Sequence, residues 1–352
     1  MRTFLIILGL LLAVVLWRGH EFASTAGMFR DLEPQMAGQC TIVPGVVGPE
    51  DHTIDPETGI VYLSGYDRVS AIGGDPKPGA IWTYDLNDPE AVPVSITPDA
   101  DAGFQPHGIS LYIGEDGARR LFVINHGTNE QAVDIFDVGE GILQKVTTVT
   151  GELLRTPNDL VAVSPNAFYF SNDHRFLADD FMRPFEDFLG LPMTDAVFYD
   201  GTSFRSVAPS IKGANGINVS ADGETLYLSA ARGSALHVYD RDTASGDLTY
   251  QKTIELPGMP DNIELLPDGQ LLVALHPNAF DLLAHFADPI QKAPTQIVKV
   301  DPESNSVETI FLSLGEDLSA ASTGAIYQDR LIIGAIIESK FLDCDLSYPT
   351  NP

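Results

Sequence analysis

The chain has 352 residues, room for one large domain or two ordinary ones, and combines 44% hydrophobic residues with 31 Gly and 24 Pro. Its 49 acids against 20 bases give a formal charge of −29, which excludes a phosphate-neutralising nucleic-acid binder and reads mainly as a solvated surface. So many turn formers argue for an all-β protein rather than a long-helical one.

Residues 4–17 (FLIILGLLLAVVLW) form an unbroken apolar run behind Arg2, shorter than the roughly 20 residues that span a bilayer. It reads as a secretory signal or short anchor within residues 1–26, and the small residues at 23–26 suit cleavage. Trp17-Arg18 equally suits an anchor left in place, through which the chain could associate with a membrane. The remainder is expected outside the cytoplasm, whether secreted, periplasmic or membrane-anchored.

Beyond this run the chain uses one unit six times. Each copy carries a polar pair, a short alternating strand, a Gly- or Asp-rich turn and a more apolar strand. The pairs are Glu50-Asp51, His107-Gly108, Asn158-Asp159, Asn215-Gly216, Asp261-Asn262 and Thr323-Gly324, at intervals of 57, 51, 57, 46 and 62 residues. That is about the size of a four-stranded propeller blade, whereas solenoid rungs are much shorter and a βαβ fold needs amphipathic helices that are largely absent. The expected fold is an all-β, six-bladed propeller over residues 40–345, with a tail at 346–352.

The only cysteines, Cys40 and Cys344, lie near opposite ends of an exported chain and can form a disulfide. If TIVPGVV after Cys40 completes the last blade, that bridge closes the ring. Two unpaired buried thiols are the alternative.

Rotation about the axis brings equivalent positions to one mouth. Glu50, Asp51, Asn158, Asp159, Asn215, Asp261 and Asn262 would meet there, seven hard oxygen donors of which four are carboxylates. Buried together they need a compensating cation, and an oxygen-only set of acids and amides favours Ca²⁺ over Zn²⁺ or Mg²⁺. Singly, each pair is also an ordinary turn motif; their common register is what points to a metal.

These residues resemble the serum paraoxonase/arylesterase family over residues 1–345. The likeness rests on PEDHTIDPETG around Glu50, FQPHGIS around His107, VINH at His126, PNDLVAVSPNAFYFSNDH at 157–174, ANGINVS around Asn215, DNIELLPDG around Asp261 and HPN at His276. Both cysteines fall where that family has its bridge, and LWRGH looks like its retained N-terminal segment. The resemblance implies two calcium ions in the central channel. Glu50, Asn158, Asn215, Asp261 and Asn262 would hold the catalytic one; Asp51, Asp159 and the backbone carbonyl of Ile109 would hold a deeper, structural one. It also implies a small-molecule substrate, with lactones shared more generally among the family than aryl esters or organophosphates.

His107 and His126 lie one strand-turn-strand apart, so both can reach the mouth, where a neutral imidazole can accept a proton from water. The family's usual base is this dyad, and Asp261 is a rival. With no G-x-S-x-G signature present, no serine nucleophile is indicated. His174 and His276 stand at strand ends near the same rim; His237 reads as structural, and His20, His52 and His285 carry no signal. Segment 176–191 (FLADDFMRPFEDFLGL) has Leu177, Phe181, Phe185 and Phe188 or Leu189 at helical spacing. It is either a lid beside the site, as the resemblance implies, or an amphipathic helix packed on the propeller top and shortened or kinked at Pro184. Gly213 stands where some relatives carry an aromatic wall residue. Two other functional classes stay open: a noncatalytic calcium-stabilised binding propeller, and a gluconolactonase-type sugar lactonase with one divalent metal.

Overall fold

The computed structural model describes residues 2–35, 38–97, 100–101, 103–127, 130–139 and 141–347; residues 348–352 of the expected tail lie outside these. Alternating apolar residues in each repeat form antiparallel strands, which assemble into six four-stranded sheets. The innermost strands are Pro49–Ile54, Pro106–Ile113, Pro157–Ala162, Ala214–Val219, Met259–Leu265 and Ala321–Tyr327. Each packs against the next, and the last against the first. The fold is a six-bladed β-propeller.

Its core lies between neighbouring blades. One such layer joins Phe122, Ile124, Val133 and Ile135 to Leu160, Phe168, Phe170 and Val197, all of them buried. Burying each large side chain there contributes about 1.5–3 kcal/mol. The inner strands carry Asp51, Asp159 and Glu264 to the axial channel, among apolar neighbours such as Leu111 and Val161.

The sixth blade takes three strands from the C-terminal end and its outermost, Gln39–Pro44, from the N-terminal end. Cys40 stands opposite Cys344 in that ladder, and the two form a disulfide between residues 304 apart. Reduction, or replacing both cysteines by serine, should lower the unfolding free energy by about 5 kcal/mol. An unchanged denaturation midpoint after reduction would show that the ladder alone holds the ring.

The repeats suggest that each polar pair precedes its inner strand; the structure puts the pair inside it. Ladder register slips at every pair, for example between Pro49 and Asp51, Pro157 and Leu160, and Pro260 and Ile263. Such a bulge bends the strand and re-aims side chains. Proline, with no N–H to leave unpaired, opens the bulge at Pro49, Pro106, Pro157 and Pro260. Serines of the second strand support it: Ser64 and Ser171 Oγ accept the Asp51 and Asp159 N–H of their own blades at 3.3 and 3.2 Å, and Ser229 Oγ of the fourth blade donates to the Asp261 carbonyl of the fifth at 2.9 Å.

Four α-helices occur among the described residues: α1 (Arg2–Thr25), α2 (Arg68–Ile72), α3 (Arg183–Leu189) and α4 (Ala279–Ala287). Helix α1 runs through the small residues read as a cleavage region, and Ala26 just after it is buried, its carbonyl accepting the Ala279 N–H at 2.8 Å. No helix among the described residues is long and apolar enough to cross a membrane. Segment 176–191 is helical only in α3. Pro184 lies in the first turn of α3, where its missing N–H costs nothing, so it starts the helix rather than kinking one.

Candidate active site and metal centre

Glu50, Asn158, Asp261 and Asn262 are buried on inner strands that ring the axis, with Asn215 at the equivalent place in the fourth blade. The amide nitrogen of Asn262 donates to Glu50 Oε1 at 3.2 Å, which leaves its oxygen free. Ser322 Oγ holds the Glu50 carbonyl at 2.5 Å, and His276 Nε2 meets Asp261 Oδ2 at 2.8 Å. What remains is a set of acceptors: Glu50 Oε2 and the Oδ1 atoms of Asn158, Asn215 and Asn262 are buried without a hydrogen-bond partner. Each such oxygen costs roughly 1–3 kcal/mol, and hard oxygens at equivalent positions around one axis suit a hard divalent cation. No three His, Cys, Asp or Glu side chains form a ligand cluster among the described residues; this set depends on amides.

The second acids of the pairs turn the other way. Asp51 Oδ2 accepts the Ile109 N–H of the next blade at 2.7 Å, and Asp159 Oδ2 accepts that of Ile217 at 2.7 Å. Asp51 and Ile109 are thus brought together as expected, though through nitrogen. Both acids line a channel of about 420 Å³ that continues along the axis past Glu264.

Charge is unevenly held. Burial, and then repulsion from Asp159 and Glu50, pushes Asp51 well above the usual carboxylate range; burial does the same for Asp159 against its backbone hydrogen bonds. Glu264 is pushed up by burial and by Asp51. Asp261 is raised by burial despite His276. Glu50 goes the other way: burial would raise it, but His107 and Arg68 hold it at about 2. A cation at the axis would relieve the raised acids.

The two predicted histidines are hydrogen-bonded, His107 Nδ1 to His126 Nε2. His126 Nδ1 meets the carbonyl oxygen of Gln131 at 2.5 Å, and a carbonyl can only accept. The His126 proton therefore sits on Nδ1 and His126 Nε2 accepts from His107 Nδ1, which turns His107 Nε2 toward Glu50 Oε2 at 3.3 Å. Burial, then the proximity of His107, lowers the His126 pKa to about 3, so that ring is neutral at ordinary pH.

The arylesterase family model matches residues 32–346. Serum paraoxonase/arylesterase 2 of Gallus gallus is 32% identical, covering 97% of this chain and 98% of its own. Serum paraoxonase/lactonase 3 of Oryctolagus cuniculus is likewise 32% identical over 97% of this chain and 98% of its own. This chain belongs to the arylesterase family. A solved luciferin-regenerating enzyme, 12% identical with a TM-score of 0.58 over 88% of this chain and 95% of that one, shares the fold.

As an arylesterase family member the chain is an enzyme of the esterase/lactonase class. At the rim beside its axial mouth, His174 lies between Asp173 and Asp187, at 2.8 and 2.9 Å. Burial would lower its pKa, but the two acids outweigh that and raise it. Glu186, fully buried, accepts the Arg175 and Phe176 N–H groups and pairs with Arg232 at 3.1 Å. So α3 turns its acid inward while Leu177, Phe181, Phe185 and Phe188 stay exposed, the reverse of an amphipathic helix packed on the propeller. Arg232 also lies over Gly213, where a Cβ would stand 3.0 Å from its Cζ.

The other histidines divide as their surroundings dictate. His276 belongs to the site, through Asp261. His237 bonds Thr253 Oγ1 at 2.8 Å and His285 bonds the Gln291 carbonyl at 2.6 Å, both local. His52 is wholly buried, and burial lowers its pKa to about 3. Sequence reading missed Arg68, Gln131, Glu264 and the second-strand serines. Only the serines left a legible signal, recurring in LSG, FSN and LSA of the repeats.

Proposed function

We propose that the chain is a calcium-dependent hydrolase of lactones and aryl esters, with lactones its main substrates. The observation that carries the reading is the meeting, at one mouth, of four buried unpaired oxygens with a hydrogen-bonded histidine pair. Glu50, Asn158, Asn215, Asp261 and Asn262 would hold one ion; Asp51, Asp159 and the Ile109 carbonyl would hold a second. Bound at the outer set, calcium would polarise an ester or lactone carbonyl. His107 presents Nε2 to take a proton from the attacking water, and His126 and Gln131 fix the orientation and tautomer of that ring. Asp261 has one oxygen engaged by His276, which makes it the poorer base.

Donors at two depths along the axis favour this reading over a one-metal sugar lactonase. Serum relatives, the disulfide and α1 support an exported protein. We place the propeller outside the cytoplasm with α1 retained, since Gly27 just after it packs where a Cβ would stand 1.9 Å from the Pro277 carbonyl oxygen. Membrane association would use α1 and the exposed apolar rim it touches through Phe22 and Phe188.

Purified full-length protein should hydrolyse aliphatic lactones and phenyl acetate, lose both activities to a chelator, regain them with calcium and carry two calcium ions per chain. Turnover that survives metal stripping, or calcium-loaded protein inert on every lactone and ester, would sink the reading.

A further inference from the structure

A second cavity lies away from the axis, between the fifth and sixth blades. Its walls come from the outermost strand of the sixth blade (Ile42 and Pro44), from the turn that leads into Lys340–Asp345, and from the end of α4 with the proline beyond it (His285 and Pro289). None of these residues belongs to the outer donor set, the inner acids or the histidine pair. The volume of about 310 Å³ is at the lower end of what small-molecule sites enclose, roughly 300–1,000 Å³.

His285 is 1% exposed, and its Nδ1 lies 2.6 Å from the Gln291 carbonyl oxygen. A carbonyl only accepts, so in the neutral ring Nδ1 carries the proton and Nε2 the lone pair. That Nε2 is buried without a hydrogen-bond partner, which costs free energy that a donor would recover. Pro44 and Pro289 have no N–H to offer, and Lys340 Nζ is turned to Glu338 Oε2 at 3.5 Å. Glu338 Oε1 and the Ser339 carbonyl are acceptors already in use, for the Ser319 and Gly45 N–H groups at 3.2 and 3.3 Å.

Ile42, Pro44, Pro289 and Ile337 make the rest of the wall apolar. The matching occupant is small and uncharged, with an apolar body and one O–H. An anion would meet the Glu338 carboxylate on the same wall, in a chain of formal charge −29. Ester hydrolysis, the chemistry of this family, releases an alcohol or phenol, so the chain itself produces molecules of this kind. We propose that the cavity is a binding site for an uncharged alcohol or phenol, whose hydroxyl donates to His285 Nε2 while its apolar body packs on Ile42, Pro289 and Ile337.

The test is a titration of full-length protein, carrying nitrogen-15-labelled histidine, with 4-fluorophenol at pH 8, followed by NMR. The His285 Nε2 resonance, identified by its loss in His285→Phe, should move saturably as the lone pair is engaged. 4-Fluoroanisole, close in shape but with no donor, should bind about tenfold more weakly, the equivalent of one hydrogen bond. Ile42→Trp should weaken 4-fluorophenol at least as much; Ile42 is exposed, so the larger side chain fills the cavity from its rim and leaves the core intact. A His285 resonance that stays still at every concentration would mean a recess filled by solvent alone and would overturn the proposal. Equal affinity for the two probes, or binding unaltered by Ile42→Trp, would overturn it too. Turnover enters none of these readouts, so a negative result leaves the calcium-dependent hydrolase standing.

Discussion

Stripping divalent cations should abolish turnover and lower the melting temperature by on the order of 10 °C, and the loss should be larger at pH 8 than at pH 5. The magnitude follows from mass action: an ion present at 1,000 times its dissociation constant adds about 4 kcal/mol per site, spread over the unfolding entropy of a large domain. The pH dependence follows from the inner acids. Burial, and in Asp51 also repulsion from Asp159 and Glu50, raises their folded pKa values well above the usual carboxylate value. A group raised in this way binds its proton more tightly folded than unfolded. It stabilises the metal-free fold fully below the unfolded value of about 4, and that stability is lost as pH rises through the folded value. Calcium reverses the sign, because it binds the ionised form. Melting curves of chelated and calcium-loaded protein at both pH values check this. An increment that does not change with pH would mean that Asp51 and Asp159 are not paired with a cation.

The fold was legible because a propeller repeats its local pattern. Alternation in six segments, spaced like blades, located every inner strand, and rotation about the axis placed Glu50, Asn158, Asp261 and Asn262 at one mouth with no pairwise information. Periodicity does not reveal where a ladder slips. The bulges that aim Glu50 and Asp51 in different directions were signalled only by the prolines before the pairs, and by serines whose partners lie one strand away.

Spacing misled at segment 176–191, where Leu177 and Phe181 fit a helix but lie before α3. A helix with Pro184 in its first turn cannot extend back through them without the missing N–H, and Glu186 holds the preceding loop through the Arg175 and Phe176 N–H groups. Arg68 and Gln131 were out of reach for another reason. Each lies outside the repeated strands, and its meaning comes from a contact: Gln131 with the ring five residues before it, Arg68 with an acid on an inner strand. Glu264 follows the fifth pair at an inner-strand position, and its repulsion with Asp51 arises only once that strand is rolled about the axis.

His107→Gln should lower kcat by about 10²–10⁴-fold, the range for loss of a positioned acid–base group, while two calcium ions remain bound. His107 contributes through Nε2, and no other imidazole among the described residues hydrogen-bonds to His126. Replacing Gln131 tests how that nitrogen is prepared. Gln131→Leu removes the acceptor that fixes the His126 proton on Nδ1, so the reversed tautomer becomes accessible and would present an N–H to His107 in place of a lone pair. Turnover should fall about tenfold, with little change in calcium affinity. Gln131→Glu places a carboxylate at the same atom, and this opposes the burial that holds His126 down at about 3. In the wild type, protonation of His126 lies too far into acid to limit activity near neutrality. In Gln131→Glu its pKa rises, and the acid limb of the pH–kcat profile should move up with it. A profile unmoved by Gln131→Glu, together with full activity in His107→Gln, would transfer the role of base to Asp261.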